Sequence, residues 1–212
     1  MSIILNLFNC LLYYIFSITG DLGIAIIILT VIVRIILLPI SIKQKTNMIE
    51  HQFLSKRIKE LKIKFKDNKR KLELETQKLN KENSKYIIGY FASLIQIPLM
   101  YSLYNVIIKM PIEVGTIIIP WVTNIKLTDK YYIVPLIYML VSISPGLLSY
   151  IKALKNFNEV NGILSMISIS IISILITIKA PVALGIYFIT TGIFSFFEEL
   201  VFRLYMKNKC LN

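Results

Sequence analysis

Residues Ile24 to Ile40 read IAIIILTVIVRIILLPI, an apolar run close to the length a bilayer-crossing helix needs, interrupted by one cation, Arg34. Few folds can house such a stretch. On insertion scales an arginine at the centre of a bilayer helix costs about 2.5–3.5 kcal/mol, so it turns toward protein or water rather than lipid tails. Arg34 is therefore a candidate functional residue. The competing reading is a long side chain that snorkels to the nearer interface and touches nothing else.

The rest of the chain repeats the apolar pattern. Of its 212 residues 56% are hydrophobic, and runs over about 22–41, 86–108, 131–151, 161–178 and 182–203 each suit a membrane span. The formal charge is +12, which alone would fit nucleic acid, an anionic membrane surface or a topological bias. Its placement favours the last, because residues 43–85 hold 14 of the 24 basic and 6 of the 12 acidic residues. Lys43 and Lys45 follow the first span, Lys152 and Lys155 the third, and Arg203, Lys207 and Lys209 close the fifth. Placing all of these in the cytoplasm gives five spans, N-terminus outside and C-terminus inside.

Within this frame the fold class is an all-α polytopic membrane protein. Residues 1–20 form an apolar segment whose Asn6, Asn9, Tyr13 and Ser17 make a polar edge, which suits a helix in the outer interface; an additional span is the competing reading. Residues 21–208 form the core and 209–212 a short basic tail. Pro39 marks a kink or exit at the end of the first span. Residues 43–85 make a cytoplasmic helical hairpin, with Ile49, Phe53, Ile58, Leu61 and Phe65 as one stripe and a turn at Lys66-Asp67-Asn68. Gln96 and Pro98 break the second span, Ser142, Ser144 and Pro145-Gly146 the third. Trp121 in the 109–130 loop suits the outer interface.

Catalytic and metal chemistry find little support. Cys10 and Cys210 lie near opposite ends of the chain, His51 is the single histidine, and no CxxC pair, phosphate loop or nucleophile constellation occurs. The chain is therefore expected to be neither an enzyme nor a holder of a metal or cofactor.

The order of the pieces resembles the YidC-type membrane protein insertases of the YidC/Oxa/Alb superfamily. The resemblance rests on GIAIIILTVIVRIILLPI with Arg34, the charged hairpin KELKIKFKDNKRKLELETQKLNKEN, LIQIPLMYSLYNVI, IPWVTNI, DKYYIVPLIYMLVS and APVALGIYFITTGIFSFFEE, and covers nearly everything from about residue 20. It implies a hydrophilic groove open to cytoplasm and lipid, formed with Arg34, Thr30, Gln96, Ser142, Tyr187 and Phe188. About six residues separate Arg34 from the cytoplasmic end of its span, or roughly 9 Å at 1.5 Å per residue, within reach of water entering from that side. Three departures stand out: Pro145-Gly146 replaces a groove glutamine common in relatives, Tyr187-Phe188 replaces Tyr-Trp, and Glu198 and Glu199 replace glutamines. Either glutamate is a candidate partner for Arg34.

The partners so implied are nascent membrane proteins and the lipid bilayer, with the ribosome, targeting factors and the Sec translocon beside them and no sequence-specific nucleic acid. The resemblance further implies a monomer working in a bacterial plasma membrane, of the compact Gram-positive-like form. Two other classes share the sequence features: a small anion transporter or channel built on Arg34, and a membrane chaperone that binds helices without inserting them.

Overall fold

The computed structural model describes residues 2–65, 69–82, 96–109, 115–151 and 162–211. Among these there is no strand. The α-helices are α1 (Ser2–Thr19), α2 (Leu22–Lys64), α3 (Lys69–Glu82), α4 (Gln96–Lys109), α5 (Ile133–Leu147), α6 (Gly162–Thr177) and α7 (Val182–Leu211), with a 3-10 turn at Leu148–Tyr150 after α5. Two of them, α2 and α7, contain stretches long and apolar enough to cross a membrane; shorter apolar helices cover Asn6–Thr19, Ile133–Leu147 and Met166–Thr177. The chain forms two compact units, one of residues 1–36 and 98–212, the other of residues 37–97.

The first unit holds the core. On α2 the buried residues Leu22, Ala25, Ile26, Leu29 and Thr30 recur at three and four residues, the helical period, while Ile28, Ile32, Ile35 and Ile36 are exposed. Leu12 and Ile15 of α1, Leu103, Val106 and Ile107 of α4, and Val182 through Phe188 of α7 join this core. The outward surface also carries many large apolar side chains. Ile167, Ile169, Ile171, Ile172, Leu175 and Ile176 of α6 are all exposed, a continuous hydrophobic face of a kind that soluble proteins avoid and that lipid tails would cover. The expected polar edge of α1 is mostly outward, with Asn6, Tyr13 and Ser17 exposed and Asn9 half-buried, opposite the buried Leu12 and Ile15.

Helices surrounded by lipid gain little from hiding apolar surface against one another, so small residues and hydroxyls hold them together. Gly185 and Gly192 of α7 lie against Val134 and Val141 of α5, the same seven-residue interval on both helices, and a Cβ at either glycine would collide with the valine. Ser173 of α6 donates a hydrogen bond to Ser142 of α5 at 2.8 Å. Pro145 has no N–H to offer the carbonyl of Val141, and the Ser144 hydroxyl takes that acceptor at 2.7 Å. The proline-glycine pair is thereby accommodated inside α5.

The helix carries on through Pro39. α2 does not end there but continues to Lys64, so the first apolar run and the first arm of the charged segment are one helix of 43 residues. Proline removes a single i to i−4 bond, and Pro39 is exposed, so its ring displaces no packed neighbour. The second arm is α3, in the unit of residues 37–97. The turn expected at 66–68, and Gly89, Ala92 and Ser93 of the second apolar run, lie outside the described residues.

Candidate functional site

The helices α2, α5 and α7 surround a cavity of about 520 Å³, all within the first unit. Ile27 and Val31 of α2, Val134 and Ile137 of α5, and a stripe on α7 from Ile186 to Phe197 form its walls. Ile118, Ile119 and Trp121, from the loop between α4 and α5, complete them. Thr190 is the one hydroxyl on the lining, and it is already committed to the carbonyl of Ile186 at 2.8 Å. The cavity is therefore apolar, a place for hydrocarbon rather than for a polar solute.

Arg34 continues this wall. Ile27, Val31 and Arg34 are spaced by four and three residues, so they share one face of α2, and Arg34 stands beyond the two lining residues. It is half-buried, and among the described residues no carboxylate pairs with it. Neither of its candidate partners, Glu198 and Glu199, pairs with it. Glu199 accepts from Nε of Arg203 at 2.7 Å, an i, i+4 pair along α7, and Glu198 is buried.

The remaining expected groove residues fall into different surroundings. Thr30, one turn before Arg34, is buried and donates to the carbonyl of Ile26 at 2.6 Å. Tyr187 is only 2% exposed, and Phe188, stacked on Tyr138 with ring centres 5.1 Å apart, is 7% exposed; both belong to the core. Ser142 is half-buried and engaged with Ser173 and with the carbonyl of Met139. Gln96 opens α4, but its side chain lies outside the described residues, as does that of His51. Among the described residues no three His, Cys, Asp or Glu side chains come together as a metal site would require.

Sequence reasoning passed over two carboxylates and two hydroxyls. Asp21 is the N-cap of α2, accepting from the Ile24 amide at 2.9 Å, and also accepts from the Thr116 hydroxyl and the Ile117 amide, both at 2.7 Å. Burial pushes its carboxyl upward, but the amides of Ile117, Ile24 and Gly23 and the Thr116 hydroxyl outweigh that and hold it below the ordinary carboxylate value. Asp129 does the same work for α5: it accepts from the Tyr131 and Val134 amides at 3.0 and 2.8 Å and from the Trp121 indole at 3.3 Å. Between them Tyr132 adopts a left-handed conformation with φ of 56°, a strained state for a side-chain-bearing residue that these bonds hold in place. The first amides of α7 are met by the same loop, Val182 by the carbonyl of Leu127 at 2.8 Å and Ala183 by that of Ile125 at 2.9 Å. One loop thus caps α5 and α7 and holds the residue that caps α2. Ser102 of α4 and Thr191 of α7 carry buried hydroxyls that make no hydrogen bond among the described residues. A short motif in the sequence signals none of these except Asp21, whose place just ahead of an apolar run is that of a helix cap.

The family described as 60Kd inner membrane protein matches residues 14–209. A protein of Helicobacter pylori named membrane protein insertase YidC is 30% identical over 205 residues, 94% of this chain and 36% of that protein. One of Listeria innocua, named membrane protein insertase YidC 2, is 31% identical over 195 residues, 90% of this chain and 67% of the relative. The membrane protein insertase YidC of Caldanaerobacter subterraneus is 29% identical over 194 residues, 91% of this chain and 90% of the relative. The chain thus spans about a third of the length of the Helicobacter protein and most of the Caldanaerobacter one. With nearly its whole length matched, and with an apolar, all-helical body, the chain belongs to the 60Kd inner membrane protein family.

Proposed function

We propose that this chain is a membrane protein insertase of the bacterial plasma membrane, which takes apolar segments of newly made membrane proteins into the bilayer. The observation that carries this reading is Arg34, a half-buried cation in an apolar helix with no carboxylate partner among the described residues, continuing the wall of an apolar cavity. The names of the relatives point the same way.

In this reading five helices span the membrane, N-terminus outside and C-terminus inside, α1 lies in the outer interface, and residues 43–85 form a hairpin in the cytoplasm. Arg34, Thr30, Gln96, Ser142, Tyr187 and Phe188 belong to a groove open to cytoplasm and lipid. Thr30, Tyr187 and Phe188 shape its walls from the core, and Arg34 supplies charge. A polar tail enters the wetted half of the groove, where the arginine attracts its acidic groups, while the apolar segment follows the cavity and leaves sideways into lipid. Water at Arg34 shortens the distance over which polar groups are unsolvated. The energy comes from transferring the apolar segment out of water, about 0.8 kcal/mol per buried CH₂, and from the membrane potential where the tail is charged. No covalent step and no cofactor is involved. The protein works as a monomer, and the ribosome, targeting factors and the Sec translocon are its neighbours on the path of the nascent chain.

Reconstitution into liposomes with a short single-span substrate bearing an acidic tail tests this. Protease-protected insertion without nucleotide, lost in Arg34→Ala, is the expected result. Solute flux without insertion would identify a transporter instead, and binding without protection a chaperone.

A further inference from the structure

The loop of residues 115–132 does more than connect α4 to α5. Its Ile118, Ile119 and Trp121 line one side of the apolar cavity, next to the first turns of α2, α5 and α7, with Ile119 buried and Ile118 and Trp121 exposed at its edge. What fixes this segment to α2 is one side chain. Asp21 receives the Thr116 hydroxyl and the Ile117 amide, and the same Thr116 oxygen accepts from the Ile118 amide at 3.2 Å, so the bonds run from the carboxylate to the first lining residue. Gly23 makes the approach possible, since a Cβ there would occupy the position of the Thr116 hydroxyl. Asp21 as a residue is only 4% exposed.

We propose that Asp21 is a positioning residue for insertion: it clasps Thr116 and Ile117 to the start of α2 and so keeps Ile119 buried in the wall it forms with Ile118 and Trp121. An apolar cavity open to water at that wall would no longer offer an arriving segment a low-dielectric refuge, and the driving force for its entry would shrink. The proposal rests on the insertase reading, but the state of the wall can be measured without it.

Two jobs of Asp21 must be separated, capping α2 and holding the loop. Asp21→Ser keeps a side-chain oxygen for the Ile24 amide but is too short to serve Thr116 and Ile117 together, whereas Asp21→Ala loses both. The experiment uses the full chain in proteoliposomes, with Cys10 and Cys210 replaced by serine and Ile119→Cys as a reporter. A membrane-impermeant maleimide is supplied to both faces, and insertion of the single-span substrate is followed in parallel. Asp21→Ser and Asp21→Ala are each expected to label about tenfold faster than the parent and to insert several-fold less, with thermal stability largely kept by Asp21→Ser. Thr116→Val is expected to fall between, and Thr116→Ser to label at the parental rate. Parental labelling in Asp21→Ser overturns the proposal, because capping alone then explains the residue. So does fast labelling with undiminished insertion. A parent that closes its wall but inserts nothing would instead refute the insertase reading and leave the clasp standing.

Discussion

Gly192 on α7 stands so close to Val141 on α5 that a Cβ built on it would lie 2.6 Å from the valine Cγ1. Replacement by alanine must push the helices apart or twist the valine from its rotamer, at a cost of about 1–3 kcal/mol. Gly192→Ala is therefore expected to lower the unfolding temperature in detergent, and Val141→Ala introduced with it to restore much of the loss. Strictly additive effects in this double-mutant cycle would show that the two residues do not press on one another.

The Ser173–Ser142 hydrogen bond joins α5 to α6 at 2.8 Å. Bonds of this kind between membrane helices average about 0.6 kcal/mol. Ser173→Ala is expected to reduce stability by less than about 1 kcal/mol, measured by unfolding in mixed micelles. Because it also strips Ser142 of a partner, the single change should cost at least as much as Ser142→Ala and Ser173→Ala combined.

Arg34 separates charge from shape. Lysine carries the same charge on a flexible stem but lacks the planar fork that grips a carboxylate with two bonds. Arg34→Lys is expected to keep most insertion of a substrate with an acidic tail, and Arg34→Ala to lose about tenfold or more, a change of ~1.4 kcal/mol in the barrier. If lysine proves as poor as alanine in the protease-protection assay, guanidinium geometry rather than charge is what the substrate requires.

Acid should act on the loop through Asp21. Its carboxyl is held below the ordinary carboxylate value in the folded protein, so the stability it contributes is complete above the unfolded value of about 3.9 and is lost as pH falls through the lower folded value. Trp121, the sole tryptophan, reports on this loop. Its emission is expected to stay constant from pH 8 to about 5 and to change only below the ordinary carboxylate range. In Asp21→Asn the part of that change due to Asp21 should disappear; an identical acid profile in the variant would assign the transition to other groups.

Hydropathy carried most of what could be read in the sequence. The helical period of Leu22, Ala25, Ile26 and Leu29 is written in neighbouring residues, and the helix breaks at Gly20-Asp21 and Lys179-Ala180-Pro181 sit where the apolar runs stop. The continuation of α2 past Pro39 could not be read from the proline itself, because proline's cost is local while the residues on either side of it favour helix. The inward turn of Tyr187 and Phe188 was illegible for another reason: in a helix apolar on most faces, periodicity cannot tell the side that meets protein from the side that meets lipid. The Glu199–Arg203 pair was within reach, since four residues separate them on one helix. Arg34 was conspicuous from the start because one charge among isoleucines needs no partner to be seen. The clasp at Asp21 could not be foreseen, because its partners lie 95 and 96 residues away.

That separation has a temporal meaning. A ribosome adding about 5–20 residues per second needs roughly 5–20 s to travel from Asp21 to Thr116, so α2 is made and capped long before its clasp to the loop can form. The loop that holds it arrives only later. For those seconds the newborn protein carries a carboxylate still without its loop partners at the head of its first long apolar helix, and is itself a client in need of the kind of help its relatives are named for.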